Sequence, residues 1–341
     1  MGSMEVMPDL RRLAIGTGVA VAAAAVAVGT GKYLAHRART RPDPDADEDF
    51  DLLADLGVSR LEVATRDGGH LVLLDKGQGR PVLFVPGVTL RAGIWRYQFA
   101  LTDHYRVVAL NQRGHGESRP GEAGFGLDRL ADDLADVLEA LDLRDVVIVG
   151  HSMGGMATMR FAHRHPLVRK ERVAGLVLVA TTAEPVLGFG SSARVQRLGK
   201  ALDRRGASIG WERVPAFAPG DTDLGYSLAR LSFGDRALPH HVDVTRRMLV
   251  EMQRESMHRS MVGLLDNDEL PVLHTVDTPT LVVVGSRDTL TPPRHAKRIA
   301  AALPDAELVV LPGAGHQVML ERPQELNALV EGLLLRTSPR P

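Results

Sequence analysis

The sequence predicts an α/β fold: a mostly parallel sheet with helices on both faces and a helical cap inserted late in the chain. Three observations predict it. From residue 59 onward, short apolar runs alternate with helical segments, the pattern of strands joined by crossover helices. Those runs are apolar at nearly every position, as strands buried on both faces must be. The rhythm then breaks between residues 184 and 276, where Arg- and Met-rich helical stretches with Pro and Gly interruptions follow one another without a strand.

The elements follow in order. Residues 61–64 and 71–74 flank the turn Asp67-Gly68-Gly69 and read as an opening hairpin. Strands are expected at 82–85 and 106–110. An amphipathic helix is expected at 127–141, with Leu130, Leu134, Val137, Leu138 and Leu141 on one face. Strand 146–149 and helix 153–165 come next, then strands 173–179, 280–284 and 307–311. Helices near 292–302 and 323–336 separate and close the last strands. The core therefore has two parts, 59–183 and 277–341, with a cap or lid at 184–276 between them. In that cap Met248, Met252, Met257 and Met261 either line a pliable apolar pocket or form ordinary helix core.

The amino terminus is a separate matter. Residues 13–31 contain no charged side chain, and as a helix of about 1.5 Å per residue they nearly span a hydrocarbon core of about 30 Å. The segment is rich in Ala and Gly, so its insertion is marginal. Three readings compete: a single-pass anchor, which is the leading one, a cleaved export signal, and a helix that stays in solution or lies on a surface. Arg11 and Arg12 precede the segment, and Lys32, Arg37, Arg39 and Arg41 follow it. For a spanning helix, this balance places the catalytic domain on the cytoplasmic side. Residues 32–58 form a linker with Pro42, Pro44 and the acidic run Asp45, Asp47, Glu48, Asp49 and Asp51, read as solvated chain. No glycine-turn ligand pattern makes that run a calcium loop.

Composition excludes several functions. The formal charge of -1 and an aromatic content of 4% offer neither a basic face nor a base-stacking platform, so no nucleic-acid partner is expected. The chain has no cysteine, which removes disulfides, thiolate zinc sites and a cysteine nucleophile. No metal-ligand spacing is present, and no cofactor is expected.

The chemistry is carried by Gly150-His151-Ser152-Met153-Gly154-Gly155, between an apolar strand and a helix. A serine between close glycines at a strand-to-helix turn fits a nucleophile elbow, G-x-S-x-G. The turn must be sharp so that the hydroxyl projects above the sheet, and side chains at Gly150 and Gly154 would collide with neighbouring chain. The bland alternative is a serine helix cap beside packing glycines. A serine hydroxyl needs a base within hydrogen-bond reach, and the base needs an orienting acid. In this architecture they follow in the order Ser, acid, His. Asp288 follows strand 280–284, in Gly285-Ser286-Arg287-Asp288, and His316 follows strand 307–311, in Gly313-Ala314-Gly315-His316. Both lie at the carboxyl ends of strands, where open α/β sheets bind ligands. The triad read from the sequence is Ser152, Asp288 and His316. The expected oxyanion donors are the backbone N–H of Met153 and, from the loop after strand 82–85 in Pro86-Gly87-Val88, that of Val88; the alternative for this loop is a tight-turn glycine without an oxyanion role.

These motifs make the chain similar to the α/β-hydrolase superfamily over residues 59–337. Arg113-Gly114-His115-Gly116-Glu117-Ser118 resembles its R-G-x-G-x-S loop, and GHSMGG, GSRD and GAGH match in order and context. More narrowly, the chain resembles actinobacterial lipase/esterase-like hydrolases with an N-terminal hydrophobic segment and a helical cap. The cofactor-free haloperoxidase group has a similar triad. The resemblance implies the α/β-hydrolase fold. Two positions depart from the family pattern: Pro86 stands where a histidine is usual, and Asn111 where an aspartate is usual. His115 and Glu117 are read as serving the structure of their loop.

The expected activity is carboxylic-ester hydrolysis through an acyl-enzyme. A second reading keeps the triad but transfers the acyl group to another alcohol, or forms a peracid as haloperoxidase-like enzymes do. A third is a membrane-tethered scaffold on the same fold, against which an intact triad argues. Epoxide and haloalkane hydrolases are disfavoured because such relatives carry aspartate at the position of Ser152. The expected partner is a small-molecule or lipid-like ester, with membrane association through residues 13–31.

Overall fold

The apolar runs become the strands of one eight-stranded sheet, ordered β1-β2-β4-β3-β5-β6-β7-β8. The computed structural model describes residues 36, 37, 39, 40, 56–185 and 222–338. The hydrophobic segment 13–31, most of the linker and cap residues 186–221 lie outside the described residues. Among the described residues, no helix is long and apolar enough to cross a membrane.

β1 (Ser59–Ala64) and β2 (His70–Lys76) form the antiparallel hairpin, and β2 continues antiparallel onto β4 (Arg106–Leu110). From there the sheet is parallel: β4 beside β3 (Pro81–Val85), β3 beside β5 (Val146–His151), then β6 (Val173–Val179), β7 (Thr280–Gly285) and β8 (Ala306–Leu311). The chain leaves β3 toward β4 but returns on its other side as β5, so the direction of winding reverses there. Ligands bind above such a reversal. Val85 of β3 pairs with Gly150 of β5, which brings the loops after both strands to one place.

The strands alternate their side chains between two cores. Leu83 and Val85 pack with Leu134 and Leu138 of α1 (Leu127–Ala140) and with Met156 and Phe161 of α2 (Met153–Arg164). Val82 and Phe84 face the opposite side and meet Trp95, Phe99 and, from α9 (Pro323–Arg336), Val330 and Leu333. Each such buried side chain contributes about 1.5–3 kcal/mol. These two layers make the sheet a rigid platform for its loops.

Three elements escape the sequence pattern. A 3-10 helix, Ala92–Asp103, follows β3 and is kinked at Trp95. Two short helices, α3 (Pro166–Arg172) and α8 (Val318–Glu321), begin just after the expected ends of helix 153–165 and of the His316 loop. The inserted stretch contains α4 (Asp223–Arg230), α5 (Pro239–Glu251) and α6 (Arg254–Leu264), and α7 (Pro293–Ala302) follows β7. The four methionines divide: Met248 is buried and Met248 and Met252 line a cavity, whereas Met261 is 44% exposed. They are not one apolar stripe, because α5 ends at Glu251 and the backbone is extended at Met252 and Gln253 before α6 begins.

Candidate active site

The elbow is a strained turn held from several sides. Ser152 has φ 50° and ψ -118°, a region that non-glycine residues rarely occupy. Its N–H donates to the Val179 carbonyl at 3.0 Å, and its own carbonyl accepts from the Thr181 hydroxyl at 2.7 Å. The first turn of α2 adds bonds from Gly155 and Met156 N–H to the same carbonyl. The helix start presses on the end of β3: a Cβ on Gly154 would stand 2.3 Å from the Val85 carbonyl oxygen. The Ser152 side chain is partly accessible. Among the described residues its hydroxyl has no hydrogen-bond partner, so no bond joins it to His316 here. In unliganded sites such bonds are often long and tighten with substrate.

Asp288 and His316 are brought into direct contact. His316 Nδ1 donates to Asp288 Oδ2 at 2.9 Å, and both side chains are almost fully buried. Asp288 also accepts from the N–H groups of Leu290 and Thr291, at 2.9 and 2.8 Å, and from the Thr291 hydroxyl at 2.8 Å. Burial alone would raise this carboxyl. The His316 charge and the bonds from His316 and Thr291 outweigh it and hold the group below its ordinary value. An ionised Asp288 fixes the tautomer with the proton on Nδ1, leaving Nε2 free to act as a base.

His151 ties this pair to the elbow. Its Nε2 lies 3.0 Å from the His316 carbonyl oxygen, and the two rings are 4.7 Å apart. Only an N–H can donate to that carbonyl, so the proton is on His151 Nε2. Complete burial pushes its pKa well down, and the facing His316 pushes further in the same direction. A neutral His151 therefore carries the backbone of His316 on the residue directly before Ser152.

The loop after β3 closes the other side. A Cβ on Gly87 would lie 3.0 Å from the Cβ of Ser152, so the backbone of this loop runs against the elbow. Val88 follows, and among the described residues its N–H has no backbone carbonyl partner. The Met153 N–H opens α2, where no carbonyl of the helix can reach it. Both departures from the family pattern fit this loop. The Pro86 carbonyl accepts from Gln112 Nε2 at 2.6 Å, and Asn111 Oδ1 accepts from the Ala92 N–H at 2.7 Å. His115 bonds to Thr89 and Arg113, and Glu117 pairs with Arg60 at 2.7 Å.

A cavity of about 740 Å³ is lined in part by the same loop but not by Ser152, Asp288 or His316. Thr89, Ala92 and His115 line it on one side, Met248 and Met252 on the other. The Arg91–Glu251 ion pair, at 2.6 Å, joins the loop to α5 there. Among the described residues, no group of three or more His, Cys, Asp or Glu could hold a metal ion.

Two contributors were not read from the sequence. Thr291 stands three residues after Asp288, the spacing at which a hydroxyl folds back onto a carboxylate, and its oxygen also lies 3.2 Å from His316 Nδ1. His151 carried no local signal beyond its place next to the serine, because its partner is 165 residues away in sequence.

Comparisons with known proteins bear on the fold that carries this site. The α/β hydrolase fold family matches residues 80–323. A non-heme chloroperoxidase of Kitasatospora aureofaciens is 33% identical over 260 residues, which cover 75% of this chain and 92% of the relative. Among solved structures, a thermophilic esterase from Thermogutta terrifontis superposes with a TM-score of 0.68 at 28% identity, covering 82% of this chain and 100% of that one. A hydrolase from Pseudomonas aeruginosa PA01 gives 0.66 at 29%, covering 82% and 98%. With its family match, its sheet order and its strand-end loops all in agreement, this chain belongs to the α/β-hydrolase fold family.

Proposed function

We propose that the chain is a serine hydrolase of carboxylic esters. The observation that carries this reading is the buried Asp288–His316 pair, set against the strained Ser152 elbow through His151. Membership of a hydrolase family and likeness to an esterase structure support it. His316 Nε2 takes the Ser152 proton as the hydroxyl oxygen attacks the acyl carbonyl. Asp288 stabilises the imidazolium that forms. The Val88 and Met153 N–H groups receive the negative charge on the carbonyl oxygen. His316 returns the proton to the departing alcohol, then activates water to release the acid and restore Ser152.

One observation favours a second acceptor. A non-heme chloroperoxidase is among the most similar curated relatives. Hydrogen peroxide attacking the same acyl-enzyme in place of water would release a peroxy acid, which can oxidise halide. Acyl transfer to an alcohol is a further variant of this step. The hydrophobic segment 13–31 and the helices over the sheet favour a lipid-like or medium-chain ester at a membrane, with the catalytic domain on the cytoplasmic side. Export after cleavage is the alternative for that segment, and fractionating cells that express full-length and 1–45-deleted chains separates the two.

The test is hydrolysis of p-nitrophenyl esters from C2 to C16 by wild type and Ser152→Ala, with and without hydrogen peroxide. Turnover lost in the variant is expected, with the chain-length optimum sizing the acyl site. Peracid formed at the expense of free acid would establish the second reading. A wild type that neither turns over nor takes a fluorophosphonate label would sink the catalytic reading and favour a scaffold.

A further inference from the structure

We propose that Asn111, Gln112 and His115 form a three-point clamp on loop 86–92, and that His115 is the positioning residue that aims the Val88 N–H at the reacting carbonyl. This rests on the reading of Val88 as an oxyanion donor. The three side chains come from one segment, the loop after β4, and reach across to the loop after β3. Gln112 Nε2 donates to the Pro86 carbonyl at 2.6 Å. The Thr89 N–H donates to His115 Nε2 at 3.1 Å. The Ala92 N–H donates to Asn111 Oδ1 at 2.7 Å.

The geometry of the peptide unit gives these contacts their meaning. Each peptide group is planar, so fixing its carbonyl or its N–H fixes the whole plane. Gln112 fixes the plane between Pro86 and Gly87. His115 fixes the plane between Val88 and Thr89. The plane between them, Gly87 to Val88, is the one that carries the Val88 N–H, and it is bracketed on both sides. Within the loop the Leu90 N–H reaches the Gly87 carbonyl at 3.3 Å, a long bond on that same plane, and Thr89 has φ 69°, an unfavourable value for a β-branched residue, so the clamp adds to a weak turn.

His115 can do this only as the neutral ring. Its Nε2 must present a lone pair to the Thr89 N–H, so the proton is on Nδ1, which donates to the Arg113 carbonyl at 3.1 Å. Burial drives its pKa down to about 4, although the bond to the Arg113 carbonyl opposes this. The charged groups that line the cavity together with His115 are Arg60, Arg91 and Glu117 beside the loop, and Arg247 and Glu251 from α5. The Arg113 guanidinium is turned away, onto Asp67 and Asp133. Asn111 and Gln112 do not titrate, so His115 is the single member of the clamp that acid can release.

The test compares His115→Leu, which removes the acceptor, with His115→Gln, whose amide oxygen sits four bonds from Cα as Nε2 does. On p-nitrophenyl butyrate, His115→Leu is expected to lose about 10- to 100-fold in kcat with KM within about twofold, less than the roughly 10²- to 10³-fold that follows complete loss of one oxyanion donor, because the Val88 N–H is misaimed and not removed. His115→Gln should recover most of that loss. A purely structural role would lower thermal stability without this split and without the rescue. Fluorophosphonate labelling separates the two levels of the argument. A labelled wild type with an unimpaired His115→Leu overturns the clamp alone, and an unlabelled wild type overturns the nucleophile and the clamp together. Should His115→Leu fail to fold, Gln112→Met frees the other plane. A kcat loss at constant KM there supports the clamp, and an unchanged kcat overturns it.

Discussion

The two sides of the site are held by different forces. On the side of β7 and β8 the hold is charged. Asp288 takes the bonds of His316 and Thr291, and Glu321 accepts from the N–H groups of Gly234 and Gly315 at 2.7 and 2.8 Å, tying the His316 loop to the inserted helices. On the side of β3 and β4 it is neutral, made of two amides and one uncharged imidazole on backbone groups. The difference teaches where each kind of bond is used. The side that must carry a charge through the reaction has the ionised Asp288 at its centre. The side that must receive a new charge is built from dipoles that hold no charge of their own.

The sharpest way to break this contrast is Asp288→Asn. It keeps the shape but makes the wrong histidine tautomer, and a kcat loss of about 10⁴ with an intact fold is expected from steady-state kinetics and circular dichroism. An unaffected kcat would mean that the charged side is not catalytic. Gly285→Ala comes next. Its Cβ would lie 2.2 Å from the Ala314 carbonyl oxygen and 2.3 Å from that of Gly315, so the loop carrying His316 must shift. Overpacking of this kind costs about 3 kcal/mol, readable in chemical denaturation, and the same change on the exposed surface would cost far less.

Acid should act first on two buried histidines, His115 on the loop side and His151 beside His316, both held below the ordinary imidazole value by burial. The folded pKa of His115 is depressed to about 4. Between about pH 6.5 and that value the unfolded chain binds a proton that the folded chain refuses, so stability falls as pH falls, by at most about 3 kcal/mol. Asp288 has the other window. Its pKa is also depressed, so its contribution is full above the unfolded carboxylate value near 4 and disappears only below it. Denaturant midpoints from pH 8 to 4 should therefore flatten in part in His115→Gln, the remaining slope belonging to His151, and an unchanged slope would show that His115 does not contribute. The smallest effect is expected at the Arg91–Glu251 pair between loop and α5. Both side chains are about half exposed, and Arg91→Ala should cost under about 1 kcal/mol and leave turnover nearly unchanged.

The strands and the strand-end residues were legible because their signals are local. Apolar runs mark buried strands, and Ser152, Asp288 and His316 each sit within a few residues of a strand end. The 3-10 helix Ala92–Asp103 was not legible, since it is kinked at Trp95 and has no sustained 3.6-residue period. His151 and Thr291 were missed for a related reason: their roles are set by contacts across loops, which periodicity does not encode. The methionines of the inserted stretch were read as either pocket lining or helix core, and their spacing could not decide because it runs through a break between α5 and α6.

The strain at Ser152 has a consequence for anyone who evolves this protein. A side chain at φ 50°, ψ -118° costs on the order of 1–3 kcal/mol that glycine would not incur. A library screened for heat resistance alone should therefore enrich glycine at position 152, and its most durable winners would be inert. Selection for longevity and selection for turnover pull this residue in opposite directions, so any useful screen must demand both at once.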